Sequence, residues 1–161
     1  MVDLIVYTQQ PVGRFTYVML AIDVFSRHVW GKPMVSNTGV ALAETFKELA
    51  ADIGPMKEVN GDGEFEQSRP LQSWLNSNNI LFRAKNVNDL AIVDNNMGHI
   101  KKQIAKDLQQ NNTDDWAARL PKVLRGHNKN THQSPLNETP DEVFHQEGTT
   151  PKTCKHGIRD A

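Results

Sequence analysis

The chain begins with three runs of apolar side chains separated by short polar stretches. Residues 2–8, 14–23 and 27–35 are rich in β-branched and aromatic side chains, a composition typical of strands. Pro11 and Gly13 mark a turn between the first two runs. The pattern therefore predicts three antiparallel strands joined by short connections.

After residue 37 the apolar positions take up helical spacing, and the helices alternate with two further strands. Pro121 predicts a kink or a break in one helix. Three strands, followed by strands that helices separate, predict an α/β fold with helices flanking a mixed sheet. We predict helices over 38–54, 69–79, 88 or 89 to 108, 113–128 and 139–146, and strands over 57–62 and 80–85.

Length and composition are those of one globular domain. The chain has 161 residues and 38% apolar content, which is enough to build a packed core. We assign residues 1–147 to this domain and residues 148–161, which lack periodicity, to a flexible tail. Cys154 is the only cysteine, which excludes an intrachain disulfide and a cysteine-based zinc site. Neither a membrane-spanning run nor a signal peptide is visible, so we predict an intracellular protein that is not secreted.

Charge is distributed unevenly along the chain. The net charge is −1, but residues 97–130 contain seven Lys or Arg and three Asp, a local excess of +4. Lys101 and Lys102 lie within this segment, on the long helix that follows the fifth strand. Such a segment is either an ordinary solvated helical surface or a site that attracts nucleic-acid phosphates.

Three aspartates lie where α/β folds gather functional groups. Asp3 is in the middle of the first strand, Asp62 ends the fourth, and Asp94 is near the start of the long helix. Singly, they could be an ion-pair partner, a turn residue and a helix cap. Three converging carboxylates, however, suit hard cations such as Mg²⁺ or Mn²⁺, and two such ions catalyse phosphoryl transfer.

Four strings in the sequence carry a family resemblance. In chain order they are YVMLAIDVFSRHVWGKPM, DGEF, AIVDNNMGHIKKQI and HNKNTHQSPLNETPDEVF. Together they resemble the catalytic core of retroviral and retrotransposon integrases, members of the RNase H-like superfamily. The resemblance covers roughly residues 1–145. It implies an RNase H-like fold with a five-stranded mixed sheet, in which three antiparallel strands precede two parallel ones.

The resemblance also implies a set of catalytic residues. Asp3, Asp62 and Asp94 would be the catalytic acids and the ligands of two Mg²⁺ or Mn²⁺ ions. Asp94 stands where most members of the family have Glu. For the second acid, alignment by the strand selects Asp62, whereas alignment by the following Glu64 selects Asn60. We favour Asp62 and leave Asn60 as the alternative.

Supporting and DNA-binding roles follow from the same resemblance. Glu64 is expected to support the site. Lys101 and Lys102 are expected to bind DNA phosphates, and Gly98 on the same helical face would allow close approach. We reject a zinc site at His127 and His132, because no further ligands stand at zinc spacing.

The implied function is that of a polynucleotidyl transferase from a retroelement or virus. It would process the 3′ ends of the element's DNA and join them to target DNA. Its partners would be these DNAs and further copies of the chain, as a homodimer or higher oligomer, in the nucleus or in virus-like particles.

Two alternatives remain open. One is an integrase-like domain that binds DNA or a protein partner without cutting, which Asn60 and the Asp at position 94 motivate. The other is an RNase H-like nuclease that cleaves RNA–DNA hybrids without strand transfer.

Overall fold

The computed structural model describes residues 1–85, 90–130 and 138–146, without the side chains of residues 90–93 and 146. The predicted domain boundary and the predicted tail lie outside these residues. Strands and helices follow in the order β-β-β-α-β-α-α-β-α-α-α. The strands are β1 (Val2–Val6), β2 (Tyr17–Ile22), β3 (Val29–Met34), β4 (Glu58–Gly61) and β5 (Leu81–Ala84). The helices are α1 (Gly39–Ile53), α2 (Gly63–Gln67), α3 (Arg69–Ser77), α4 (Leu90–Gln110), α5 (Trp116–Asn130) and α6 (Pro140–Gln146).

The strand directions agree with the prediction. β1, β2 and β3 form an antiparallel meander, whereas β4 and β5 are parallel. The hydrogen-bonded ladder is divided into these two parts, and β4 lies beside β1. The approach is close at Gly61, where a Cβ atom would lie 3.2 Å from Cγ2 of Val2. The ends of β1, β4 and β5 therefore lie in one region of the molecule.

Helices cover both faces of the strands, which gives three layers. Alternation along β1 directs Val2 and Leu4 to one face and Asp3 and Ile5 to the other. The first face is covered by α1 and α3, whose Phe46, Leu49, Leu71 and Leu75 are buried with Val2 and Leu4. The second is covered by α4 and α5, whose Met97, Ile100, Ile104, Trp116, Leu120 and Leu124 are buried with Ile5.

Two local predictions differ from the structure. The sequence pattern did not predict α2, because it is only five residues long and has one buried side chain, Phe65. A kink or a break was predicted at Pro121; the break is wrong, because α5 continues through it as one helix, and the kink stays a prediction. Trp116, Leu120 and Leu124 are buried on both sides of the proline and hold the helix against the sheet. No helix among the residues that the structure describes combines the length and apolarity needed to cross a membrane.

Candidate active site

Asp3 lies on the face of β1 that α4 and α5 cover. Its partner across the antiparallel pair is Leu20, which is buried in the core of that same face. The Asp3 side chain is half-buried, and its Oδ1 accepts a hydrogen bond of 2.9 Å from the backbone N–H of Leu4. Within the described residues no ion pair involves Asp3, so the alternative explanation of a structural lysine partner finds no support.

Asp62 directly follows β4 and precedes α2. Its backbone is extended, and it stands at the N-cap position of α2. Its side chain, however, makes no capping hydrogen bond to any residue that the structure describes, and its Oδ1 is buried without a partner there. A buried carboxylate oxygen without a partner is costly. Asp62 is therefore not explained as a helix cap.

Asp94 lies in the second turn of α4, because this helix begins at Leu90. It is therefore too far from the helix end to be the cap that its position in the sequence suggested. Its Oδ1 lies 2.9 Å from Nζ of Lys85, which directly follows β5. The side chain of Asp94 is 49% exposed, whereas that of Lys85 is only 19% exposed.

Lys85 connects Asp94 to the end of β4. Its backbone N–H donates a hydrogen bond of 2.9 Å to the carbonyl oxygen of Gly61, the residue before Asp62. One lysine therefore holds the neighbour of Asp62 with its backbone and Asp94 with its side chain. The sequence did not predict this ion pair. Lys85 ended a predicted strand and began a segment, 85–89, predicted as a mobile loop beside the site, and residues 86–89 lie outside the described ranges.

The chemistry of the donors fits a divalent cation best at Asp62. Its buried Oδ1, unpaired among the described residues, is a hard oxygen donor of the kind that Mg²⁺ and Mn²⁺ prefer. The complete predicted set is not gathered, since no three acidic, histidine or cysteine side chains in the described ranges stand close enough to share a metal ion. In this structure Asp94 is paired with Lys85 instead.

The two supporting residues near Asp62 differ in placement. Asn60 lies within β4 opposite Arg83 of β5, and its side chain is half-buried. Since Val59 points into the core shared with α1 and α3, alternation directs Asn60 to the face of Asp3 and α4. Asn60 thus shares a face with Asp3, which keeps it a competing position for the second acid. Glu64 is exposed in α2, and its supporting role stays a prediction.

The exposed face of α4 carries the predicted DNA-binding lysines. Lys101 and Lys102 are exposed, and Lys101 lies two helical turns from Asp94, which gives both side chains the same general direction. A Cβ atom at Gly98 would meet nothing within 4 Å among the described residues, so this part of α4 is open and the predicted close approach there stays a prediction.

Two histidines lie near β3, of which His127 is buried and His28 is half-buried. Burial lowers the pKa of His28 although Asp141 is 2.8 Å from its Nε2, and burial also lowers the pKa of His127. Nε2 of His127 lies 3.3 Å from the carbonyl oxygen of Arg27. Neither histidine belongs to a metal-binding group within the described part of the chain, and His132 lies outside it.

Comparison with known proteins agrees with this architecture. No family model matches the chain. It is 26% identical over 139 residues to a transposon-derived protein of Caenorhabditis elegans, an alignment that covers 84% of this chain and 48% of that protein. The chain thus spans about half the length of this curated relative.

Solved structures extend the comparison. The catalytic core domain of human T-lymphotropic virus 2 integrase, in complex with magnesium and in a trimeric form, superposes with a TM-score of 0.73 at 18% identity, covering 89% of this chain and 93% of that one. The catalytic core domain of bovine immunodeficiency virus integrase gives 0.73 at 16% identity, covering 91% and 93%. The chain has the fold of a retroviral integrase catalytic core, which confirms the predicted RNase H-like fold.

Proposed function

We propose that this domain catalyses phosphoryl transfer on DNA, as an integrase core from a retroelement or virus. The observation that carries the proposal is the buried Asp62 Oδ1, which has no hydrogen-bond partner among the described residues and lies at the strand end that Lys85 links to Asp94. Most buried polar atoms in folded proteins have a hydrogen-bond partner, so this carboxylate oxygen is a candidate cation ligand. A cation that binds to this oxygen would offset the free-energy cost of burying it without a hydrogen-bond partner.

Asp3, Asp62 and Asp94 are the residues that would hold two Mg²⁺ or Mn²⁺ ions. When bound, these ions activate an attacking oxygen and stabilise the leaving oxygen of a phosphodiester. Asp3 and Asp62 extend from adjacent strands, so their positions depend on the sheet. Asp94 would complete the set from α4 once it leaves Lys85.

The chain's own task in this reaction is to position DNA. Lys101 and Lys102 would bind backbone phosphates on the exposed face of α4, which fixes the strand without selecting its sequence. In the first step a water oxygen would bond to phosphorus and give up a proton, while the bond from phosphorus to the 3′ oxygen breaks and that oxygen takes up a proton. In the second step this 3′ hydroxyl would lose its proton and attack a target phosphodiester, and the 3′ oxygen released from the target would take up a proton.

Nicking of supercoiled plasmid DNA in Mn²⁺ tests the proposal without knowledge of the element's ends. We expect the wild type to nick the plasmid. Substituting a residue that only supports metal ligands lowers activity about 10- to 100-fold. Asp3→Asn, Asp62→Asn and Asp94→Asn should each lower the nicking rate by more than that. Asp114→Asn is the matched control, since Asp114 is exposed and distant in sequence from all three. Metal-independent nicking, or equal nicking by all variants, would overturn the proposal.

Asn60→Asp decides between the two candidates for the second acid. If Asp62 is the ligand, Asn60→Asp leaves nicking near the wild-type level and does not rescue Asp62→Asn. If Asn60 occupies the ligand position, Asn60→Asp raises both nicking and Mn²⁺ affinity. The second result would reassign the site while keeping the proposed reaction.

A second candidate function is DNA binding without catalysis. The pairing of Asp94 with Lys85 and the amide at Asn60 favour it, because both reduce the negative charge available to a metal. It predicts metal-independent DNA binding that weakens steeply with salt and that Lys101→Gln and Lys102→Gln reduce. Binding with no nicking at any Mn²⁺ concentration would select this candidate.

The homodimer or higher oligomer and the cellular location remain predictions.

A further inference from the structure

We propose that the Lys85 ammonium group is an internal counter-ion, which holds Asp94 until a divalent cation displaces it. This inference rests on the proposed function, since it concerns the third acid of the same site. It assigns Lys85 as a positioning residue that acts through Asp94, and it goes beyond the integrase-like fold itself.

Lys85 is held more firmly than a typical surface lysine. Its backbone N–H is bonded to the Gly61 carbonyl oxygen at 2.9 Å, which extends the β4–β5 pairing by one residue. Its side chain is 19% exposed, so the ammonium group has a restricted range of positions. A lysine that is already ordered loses less conformational entropy when it forms an ion pair.

The position of Lys85 also explains why the ammonium and a metal would compete. The same residue is bonded through its backbone to the neighbour of Asp62 and through its side chain to Asp94. Lys85 therefore bridges the two elements that a shared cation would connect, and its ammonium group occupies the carboxylate that this cation would need. Asp94 cannot keep the 2.9 Å contact with Lys85 on Oδ1 and give that oxygen fully to a cation. The electrostatic attraction between a carboxylate and a doubly charged ion is stronger than that between a carboxylate and an ammonium group at the same distance.

The Lys47–Glu44 pair provides a matched contrast. It has nearly the same length, 3.0 Å, but it joins two residues of α1 whose side chains are 39% and 66% exposed. Substitution of either lysine removes one positive charge from the protein. Of these two lysines, Lys85 contacts an acid that is proposed to bind a cation, and Lys47 does not.

Lysine acetylation followed by mass spectrometry tests the inference on the whole chain. We expect Lys85 to react slowly in the wild type, and Asp94→Asn to raise its rate several-fold relative to Lys47 in the same sample. Mn²⁺ should raise the Lys85 rate in the wild type, and it should add nothing in Asp94→Asn. A Lys85 rate unaffected by Asp94→Asn, or by saturating Mn²⁺, would overturn the inference.

Calorimetry with Mn²⁺ provides the second readout. Lys85→Met should tighten Mn²⁺ binding about fivefold, which is the ratio that corresponds to a partly exposed ion pair of about 1 kcal/mol. Lys47→Met should leave the affinity unchanged, and Lys85→Arg, which keeps the charge, should stay close to the wild type. In an Asp94→Asn background Lys85→Met should bring no gain. A gain that persists there would mean that Lys85 acts through bulk charge, against the inference.

These results separate failure of the inference from failure of the proposed function. If nicking requires Mn²⁺ and Asp94 while Lys85 acetylation ignores Mn²⁺, the inference is wrong and the function stands. If Mn²⁺ exposes Lys85 but the plasmid is never nicked, the counter-ion role stands and catalysis fails. If Mn²⁺ has no effect in any assay, both fail.

Discussion

Two regions of the molecule differ in whether a key polar side chain finds its hydrogen-bond partners. At the β3–α5 clamp, formed by Val29 and Asn128, the Asn128 Oδ1 accepts from the Val29 N–H and its Nδ2 donates to the Val29 carbonyl, both at 2.9 Å. At the acidic edge, formed by Asp3, Asp62, Asp94 and Lys85, the Asp62 Oδ1 is buried with no partner in the described ranges. The paired amide of Asn128 stabilises the fold, whereas we expect a ligand to satisfy the unpaired Oδ1 of Asp62. The contrast concerns these two side chains, since Arg27 Nη1 and His28 Nδ1 beside Val29 are also buried without a partner in the described ranges.

Asn128→Ala should have the largest effect on stability in this comparison. Val29 and Asn128 are buried, so the substitution leaves the Val29 N–H and carbonyl without their partner. We expect a loss of about 3 kcal/mol in the free energy of unfolding, measured by urea denaturation. Asn130→Ala is the control, because Asn130 is exposed on the same helix. A loss for Asn128→Ala below about 1 kcal/mol would mean that water replaces the amide.

Glycine-to-alanine substitutions in β3 and in α4 should change the stability of the protein in opposite directions. At Gly31 in β3 a Cβ would lie 2.8 Å from Leu124 Cδ1 and 2.9 Å from Leu20 Cδ2, and both leucines are buried. Gly31→Ala should therefore destabilise the protein by about 1–2 kcal/mol through overpacking.

Gly98→Ala, on the exposed face of α4, should stabilise the protein by about 0.5–1 kcal/mol through helix propensity. Thermal denaturation of the two variants measures the difference. Destabilisation by Gly98→Ala would show that another part of the molecule approaches this face.

Acid should weaken the β3–α5 side before it affects ion pairs elsewhere. Burial lowers the pKa of both His28 and His127 in the folded protein, so the unfolded chain binds more protons. Stability should be complete above the unfolded pKa of about 6.5 and fall as the pH drops below it. Arg119 lowers the pKa of Asp107, whose contribution is lost only below about 3.8.

Urea denaturation at pH 7.5 and 5.5 measures this effect. Burial also lowers the pKa of the Met1 amino group to about 6, so it contributes in the same range, and His127→Gln separates the histidine share. We expect a smaller loss at pH 5.5 than Asn128→Ala causes, and His127→Gln should reduce the pH dependence. Equal stability at the two pH values would contradict the role of burial.

Asp62→Asn should have the smallest effect on stability, with a sign opposite to that of Asn128→Ala. Removing a charge whose buried Oδ1 has no partner in the described residues should leave stability unchanged or raise it by up to about 1 kcal/mol. Nicking should be lost in the same variant. A destabilisation above about 1 kcal/mol would indicate that Asp62 is structural, and the contrast between the two regions would not hold.

Local patterns predicted much of the fold because they depend on nearby residues. β3 and α1 were predicted to within two residues at each end, since the apolar spacing is visible in the sequence, whereas the N-cap at Thr38 was found in the structure. The short helix α2 escaped prediction because five residues carry too little periodicity. Asp94 was identified as a candidate acid, but its distance from the helix start needed the actual position of Leu90.

The sequence by itself determined the order of all elements except α2, the antiparallel direction of the first three strands and the candidate acids, because these follow from residue type and spacing along the chain. The parallel direction of β4 and β5 was implied by the family resemblance. Only the tertiary structure decided which polar groups find partners. Asn128 reaches Val29 across 99 positions, and Lys85 connects β4 to α4 through one backbone bond and one ion pair. Such contacts depend on how whole elements pack against one another. A sequence pattern describes one element at a time, so it does not show which residue of another element a given side chain will contact.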